Sequence, residues 1–104
     1  MANASKMLDA LAEPTRREIV ERLAARPAAV SDIAREMPIS RSAVSQHLQI
    51  LKSVGLVSDH ADGTRRVYRV DPDALAIIRG YFDAFWQRSL ASFQETARRP
   101  KGKR

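Results

Sequence analysis

Read for the spacing of its apolar positions, the chain divides into helical stretches, one alternating stretch and a long helical end. Met7, Leu8 and Leu11 fall on one face of a helix over 5–12. Pro14 suits the first turn of a second helix, where its missing N–H is not needed, and Ile19, Val20 and Leu23 carry that helix to Ala25. Arg26-Pro27 ends it, and 28–30 reads as a short connector. Ser31 is the expected N-cap of a third helix, with Asp32 placed to complement the helix dipole. Ile33, Ala34 and Met37 give that helix its buried side, and Pro38 stops it. Ser40 caps a fourth helix running to about Ser53. Its Val44, Leu48 and Leu51 share a narrow sector, with Ser42, Gln46, Gln49 and Ser53 on the opposite side.

The period changes after Gly55, a glycine suited to a left-handed helix end. Residues 56–60 read as a strand, Asp62-Gly63 as a hairpin turn, and 65–70 as the returning strand. Val67 and Arg69 share one face of that second strand; Arg66, Tyr68 and Val70 share the other. Asp71-Pro72-Asp73 then starts a helix expected to run to about 97, with Leu75, Ile78, Phe82, Phe85, Trp86, Leu90 and Phe93 at helical spacing. The expected fold is mainly α with a small β-hairpin: four helices, a two-stranded wing and a long last helix.

Charge adds a location. The 18 basic and 12 acidic groups leave +6, but RRPKGKR at the end holds five of the basic ones. Residues 1–97 are expected to form one domain, and 98–104 a solvated basic tail able to add nonspecific affinity for DNA. In the rest, the basic excess lies at 40–70, where Arg41, Lys52, Arg65, Arg66 and Arg69 face only Asp59 and Asp62. A positive segment on a near-neutral body suits a protein that meets phosphate with one face. No cysteine is present, which excludes disulfides, thiolate metal sites and cysteine nucleophiles. The N-terminus lacks a basic region followed by an apolar run, and no apolar segment approaches membrane-spanning length, so the expected address is the cytoplasm.

The fourth helix has an outer face of Ser and Gln where Lys and Glu would be ordinary. A neutral solvated face is the plainer reading. Two helices joined by a tight turn, the second polar outside, also fit a helix-turn-helix. Short or neutral side chains both donate and accept, and they let a helix approach the floor of the major groove. Gln46 can pair bidentately with adenine, and Arg41 can pair with guanine or a phosphate. The following hairpin, tipped DGTRR, supplies the cationic wing such a helix needs. Charge that merely keeps an exposed edge soluble would also explain Arg65 and Arg66. Their place beside the reading helix, in the one basic segment, favours DNA.

These segments carry a family resemblance. ALAEPTRREIVERLA at 10–24, SDIAREMPISRSAVSQHLQILKSVGLV at 31–57 and DGTRRVYRVDP at 62–72 resemble the ArsR-type winged helix-turn-helix repressors, in the family's order and over nearly the whole of 5–97. The resemblance implies a homodimer on double-stranded DNA with a pseudo-palindromic operator. Its candidate reading residues are Ser40, Arg41, Ser42, Ala43, Ser45, Gln46, His47 and Gln49, and its wing residues Thr64, Arg65 and Arg66. The first and last helices would form the dimer through Met7, Leu8, Leu11, Leu75, Ile78, Phe82, Phe85, Trp86 and Phe93.

The chain departs from the metal-sensing members of that family. One of their sites needs cysteines before the recognition helix, and another needs histidines on the last helix; positions 73–97 hold none. Asp71, Asp73, Asp83 and Glu95 are poor zinc ligands without imidazole or thiolate, and His47 and His60 do not suggest a shared site. No metal and no cofactor is expected, and the effector stays open. FDAFWQRSLASF resembles the cysteine-free branch. Its aromatics could line a pocket for an organic effector, but their helical spacing favours dimer core. A competing reading is a winged-helix module that docks on protein and holds DNA only nonspecifically, which the outward Ile50 would permit. A hydrolase built on Ser45 with His47 or His60 is set aside, because residues two apart on a helix diverge and no oxyanion arrangement is visible.

Overall fold

In a computed structural model, which describes residues 3–98, the chain forms α1 (Ala4–Ala12), α2 (Pro14–Ala25), β1 (Ala28–Ala29), α3 (Val30–Glu36), α4 (Arg41–Ser53), β2 (Val57–Asp62), β3 (Arg65–Val70) and α5 (Pro72–Arg98). The basic tail expected at 98–104 lies, apart from Arg98, outside the described residues.

Four of the five described helices begin where a side chain can hold a free amide. Asn3 accepts from the Lys6 amide at 2.9 Å and Glu13 from the Arg16 amide at 2.8 Å. Ser40 Oγ accepts from the Ala43 amide at 3.1 Å, and Asp71 Oδ1 from the Asp73 amide at 2.9 Å. At the α1–α2 corner, Arg16 Nε donates to the Ala10 carbonyl at 2.9 Å and Arg17 Nη1 to the Leu11 carbonyl at 3.1 Å. Those carbonyls end α1 and have no partner within it. The α4 C-terminus closes as a Schellman turn: the Leu56 amide donates to the Leu51 carbonyl and the Gly55 amide to the Lys52 carbonyl, each at 3.0 Å, with Gly55 at φ 84°.

Two expectations need correction here. The stretch 28–30 is no connector: Ala28 and Ala29 pair with Tyr68 and Val67, so the sheet has three antiparallel strands in the order β1-β3-β2. Nor does Ser31 cap α3. That helix starts at Val30, and the Asp32 carboxylate reaches back to accept from the Ala29 amide at 3.1 Å. Pairing with β3 holds Ala29 extended, which moves the helix start ahead of the serine.

The core joins α1 (Met7), α2 (Ile19, Leu23), α3 (Ile33), α4 (Val44, Leu48, Leu51), the hairpin (Leu56, Val57, Tyr68) and the first turn of α5 (Ala74). Met7 is completely buried in it. Its expected place at a dimer interface is therefore wrong, because a side chain filling its own core offers nothing to a second copy. Leu8, Leu11 and Ile78 are half-buried at the edge of the core. Beyond Ile78 the 27-residue α5 runs clear of it, in a molecule 69 Å long and 26 × 22 Å across.

Candidate nucleic-acid interface

Burial of Val44, Leu48 and Leu51 sets the rotation of α4 and turns Arg41, Ser42, Ser45, Gln46, Gln49 and Ile50 to solvent. Ser40 is exposed but uses its hydroxyl oxygen as the cap. Ala43 and His47, two of the expected reading residues, lie half-buried on the flank of the helix. The His47 Nδ1 atom is buried with no hydrogen-bond partner among the described residues. His47 is near enough to Glu13 to help, behind the Arg16 amide, in holding that carboxyl below its ordinary range.

The wing is set against α4 by an ionic clamp that sequence reasoning missed. Asp59 on β2 takes Lys52 Nζ of α4 on one carboxylate oxygen at 2.9 Å and Arg66 Nε of β3 on the other at 3.0 Å. Its side chain is only 6% exposed. The Lys52 ammonium first, and the Arg66 guanidinium after it, hold the Asp59 carboxyl below the usual carboxylate range. The clue was the lysine in the last turn of a helix that leads into an acid-bearing strand.

The hairpin turn is Gly63-Thr64, one residue beyond the expected Asp62-Gly63, and Asp62 stands opposite Arg65 in the ladder. Gly63 alone takes positive φ, at 66°, the pattern of a II′ turn. The turn carries Thr64 and Arg65 over the start of α3, where Arg65 is ion-paired with Asp32. Asp32 also accepts from Arg35 Nη2 at 2.7 Å. The Ala29 amide first, then Arg65 and Arg35, keep the Asp32 carboxyl below its ordinary range.

Thr64, Arg65 and Arg66 come together with Arg41 and Ser31 around a cleft of about 230 Å3 between the wing and the starts of α3 and α4. Arg41, Arg65 and Arg66 make the lining of this opening basic, with Arg65 and Arg66 each also paired to a carboxylate. The uncharged outer face of α4 adjoins it. Among the described residues, no group of three or more His, Cys, Asp or Glu side chains could hold a metal ion. No described helix is long and apolar enough to cross a membrane.

On α5, Leu75, Phe82, Trp86 and Phe93 form one stripe, with exposures of 56%, 48%, 62% and 70%. Phe85, Tyr81 and Leu90 flank it, also exposed, with Tyr81 edge-on to Phe82 at 5.4 Å. So large an open apolar surface is a place for a protein partner.

This arrangement of helix-turn-helix and wing has counterparts. The model of a family described as bacterial regulatory protein, arsR family, matches residues 13–59. HTH-type transcriptional regulator Rv2034 of Mycobacterium tuberculosis is 55% identical over 83% of this chain and 80% of its own length. The chain belongs to the ArsR family. Transcriptional repressor SdpR of Bacillus subtilis, 34% identical over 68% of this chain and 79% of its own, is a more distant relative. A solution structure of a homodimeric winged helix-turn-helix DNA-binding domain from Mycobacterium bovis, a possible ArsR-family regulator, superposes with a TM-score of 0.66. It is 31% identical and covers 80% of this chain and 77% of that one. The ArsR-family chain is thus a DNA-binding transcriptional regulator with a winged helix-turn-helix fold, its α3–α4 pair and wing falling where that fold carries them.

Proposed function

We propose that this ArsR-family regulator is a homodimeric repressor that occupies a pseudo-palindromic operator in the cytoplasm. The observation that carries the reading is the pairing of an exposed, uncharged α4 face with a three-arginine cleft beside it. Ser42, Ser45, Gln46 and Gln49 enter the major groove and read base edges, with Gln46 the bidentate reader. Arg41, Thr64, Arg65 and Arg66 take phosphates and fix the register. Ala43 and His47 contribute shape from the flank of the helix. Two copies join through the stripe of Leu75, Phe82, Phe85, Trp86 and Phe93, with Leu8, Leu11 and Ile78 at its margin. The two recognition helices then face successive turns of one side of the duplex.

The experiment is selection of bound duplexes from a random pool, followed by footprinting. An inverted repeat with half-sites separated by whole helical turns is expected. Recovery of unrelated sequences without symmetry would remove both the base reading and the dimer.

A further inference from the structure

The wing arginine over the cleft already has an anion. Arg65 is ion-paired to Asp32, and the two side chains are 53% and 24% exposed. The carboxylate is held from behind, because it accepts from the Ala29 amide at 3.1 Å, and Ala29 is paired into the sheet. Arg65, by contrast, sits next to the hairpin turn on a long side chain with free rotamers. A phosphate entering the cleft between Arg41 and Arg65 therefore meets an arginine already paired with a fixed carboxylate. Asp59 is different in kind. It is nearly buried and holds Lys52 as well as Arg66, so it braces the wing whether or not Arg66 also meets a phosphate.

We propose that Asp32 is a built-in competitor for the DNA phosphate: its carboxylate holds Arg65 in the unbound protein, and Arg65 exchanges it for a phosphate oxygen when the wing docks. The inference rests on the reading of the wing as a phosphate-binding surface. The exchange lowers the sequence-independent part of the affinity and leaves the base contacts of α4 untouched. A guanidinium fork serves one planar oxyanion well at a time, so the two anions compete for it.

Asp32→Asn tests this, since the amide oxygen still accepts from Ala29 while the charge that pairs Arg65, and on the other oxygen Arg35, is lost. The variant is expected to bind an upstream duplex and a scrambled one each roughly two- to five-fold more tightly, the worth of an exposed ion pair. The slope of log affinity on log salt should stay close to that of the unaltered protein, because Arg65 meets a phosphate in both complexes and only the competing carboxylate is gone. In an Arg65→Ala background the gain should largely vanish. Unchanged or weaker binding by a variant with wild-type Tm overturns the proposal, and so does an equal gain in both backgrounds, which would mark plain charge repulsion. If Asp32→Asn unfolds α3, the Asp32 carboxyl carbon followed by NMR in the unaltered protein decides: its titration should move up in pH when duplex is added, and an unmoved titration overturns the exchange. Salt-insensitive DNA binding by the unaltered protein would remove the wing reading itself. Steep salt dependence alongside an inert Asp32→Asn would remove only the exchange.

Discussion

Under the proposed function, single side chains divide into those that read bases and those that anchor the protein on phosphates. Gln46 stands on the exposed face of α4. Gln46→Ala is expected to cost about 1–3 kcal/mol per contacted half-site on the operator and nothing on random DNA, which competition titration would measure. Equal loss on both would place Gln46 outside base reading. Arg65→Ala with Arg66→Ala should instead weaken every duplex alike and flatten the salt slope, and an unchanged slope would take the wing off the phosphates. The outer face of α4 and the wing cations were legible in the sequence because helical spacing and a basic hairpin are local patterns. Their ion partners were not. Asp32 lies 33 positions before Arg65, and only the folded sheet brings the two together. Met7 was misplaced for a related reason: the helical spacing of α1 shows which side is apolar, and not whether that side meets its own core or a second copy.

At the scale of elements, the wing depends on its turn and its clamp. A Cβ added to Gly63 would meet nothing within 4 Å, so the penalty there is purely the left-handed backbone. Gly63→Ala should cost about 1–2 kcal/mol in denaturant unfolding, and Gly63→Asn clearly less. Equal costs would mean that Gly63 matters for something besides φ. The clamp and the α2–α3 tie have a pH signature. Arg22 grips Glu36, with Nη2 donating to Oε2 at 3.2 Å, and holds that carboxyl low, as Lys52 and Arg66 do for Asp59. Both carboxyls titrate below their unfolded values of about 4. Their stabilisation is therefore complete above that pH and is lost as pH falls through the depressed folded values. The Tm should hold level from neutrality to about pH 4 and fall below it, and Asp59→Asn should fall less steeply from a lower start. The sequence revealed the five described helices and the hairpin because each has its own period, and all the helices but α3 have the cap expected of them or a side chain in its place. It concealed β1, since two alanines carry no strand signal and become a strand only by pairing with Tyr68 and Val67.

At the scale of the whole molecule, α5 decides what the protein is in solution. About 40 Å of helix at 1.5 Å per residue carries an aromatic stripe that one copy leaves open. Trp86→Glu with Phe93→Glu should give a folded monomer in sedimentation equilibrium and lower operator affinity roughly a hundredfold or more, because two linked half-sites become one. A variant that stays dimeric would move the interface away from the stripe. The central claim is that α4 reads bases while the wing and Arg41 take phosphates. Its most direct test is titration of the purified protein onto the inverted-repeat duplex recovered by selection and onto a scrambled duplex across a salt series. Binding of both is expected to weaken steeply with salt, with the inverted-repeat duplex tighter by about a thousandfold or more at every point. Equal weak affinity for the two duplexes would contradict base reading by α4, and affinity indifferent to salt would contradict the phosphate-binding wing.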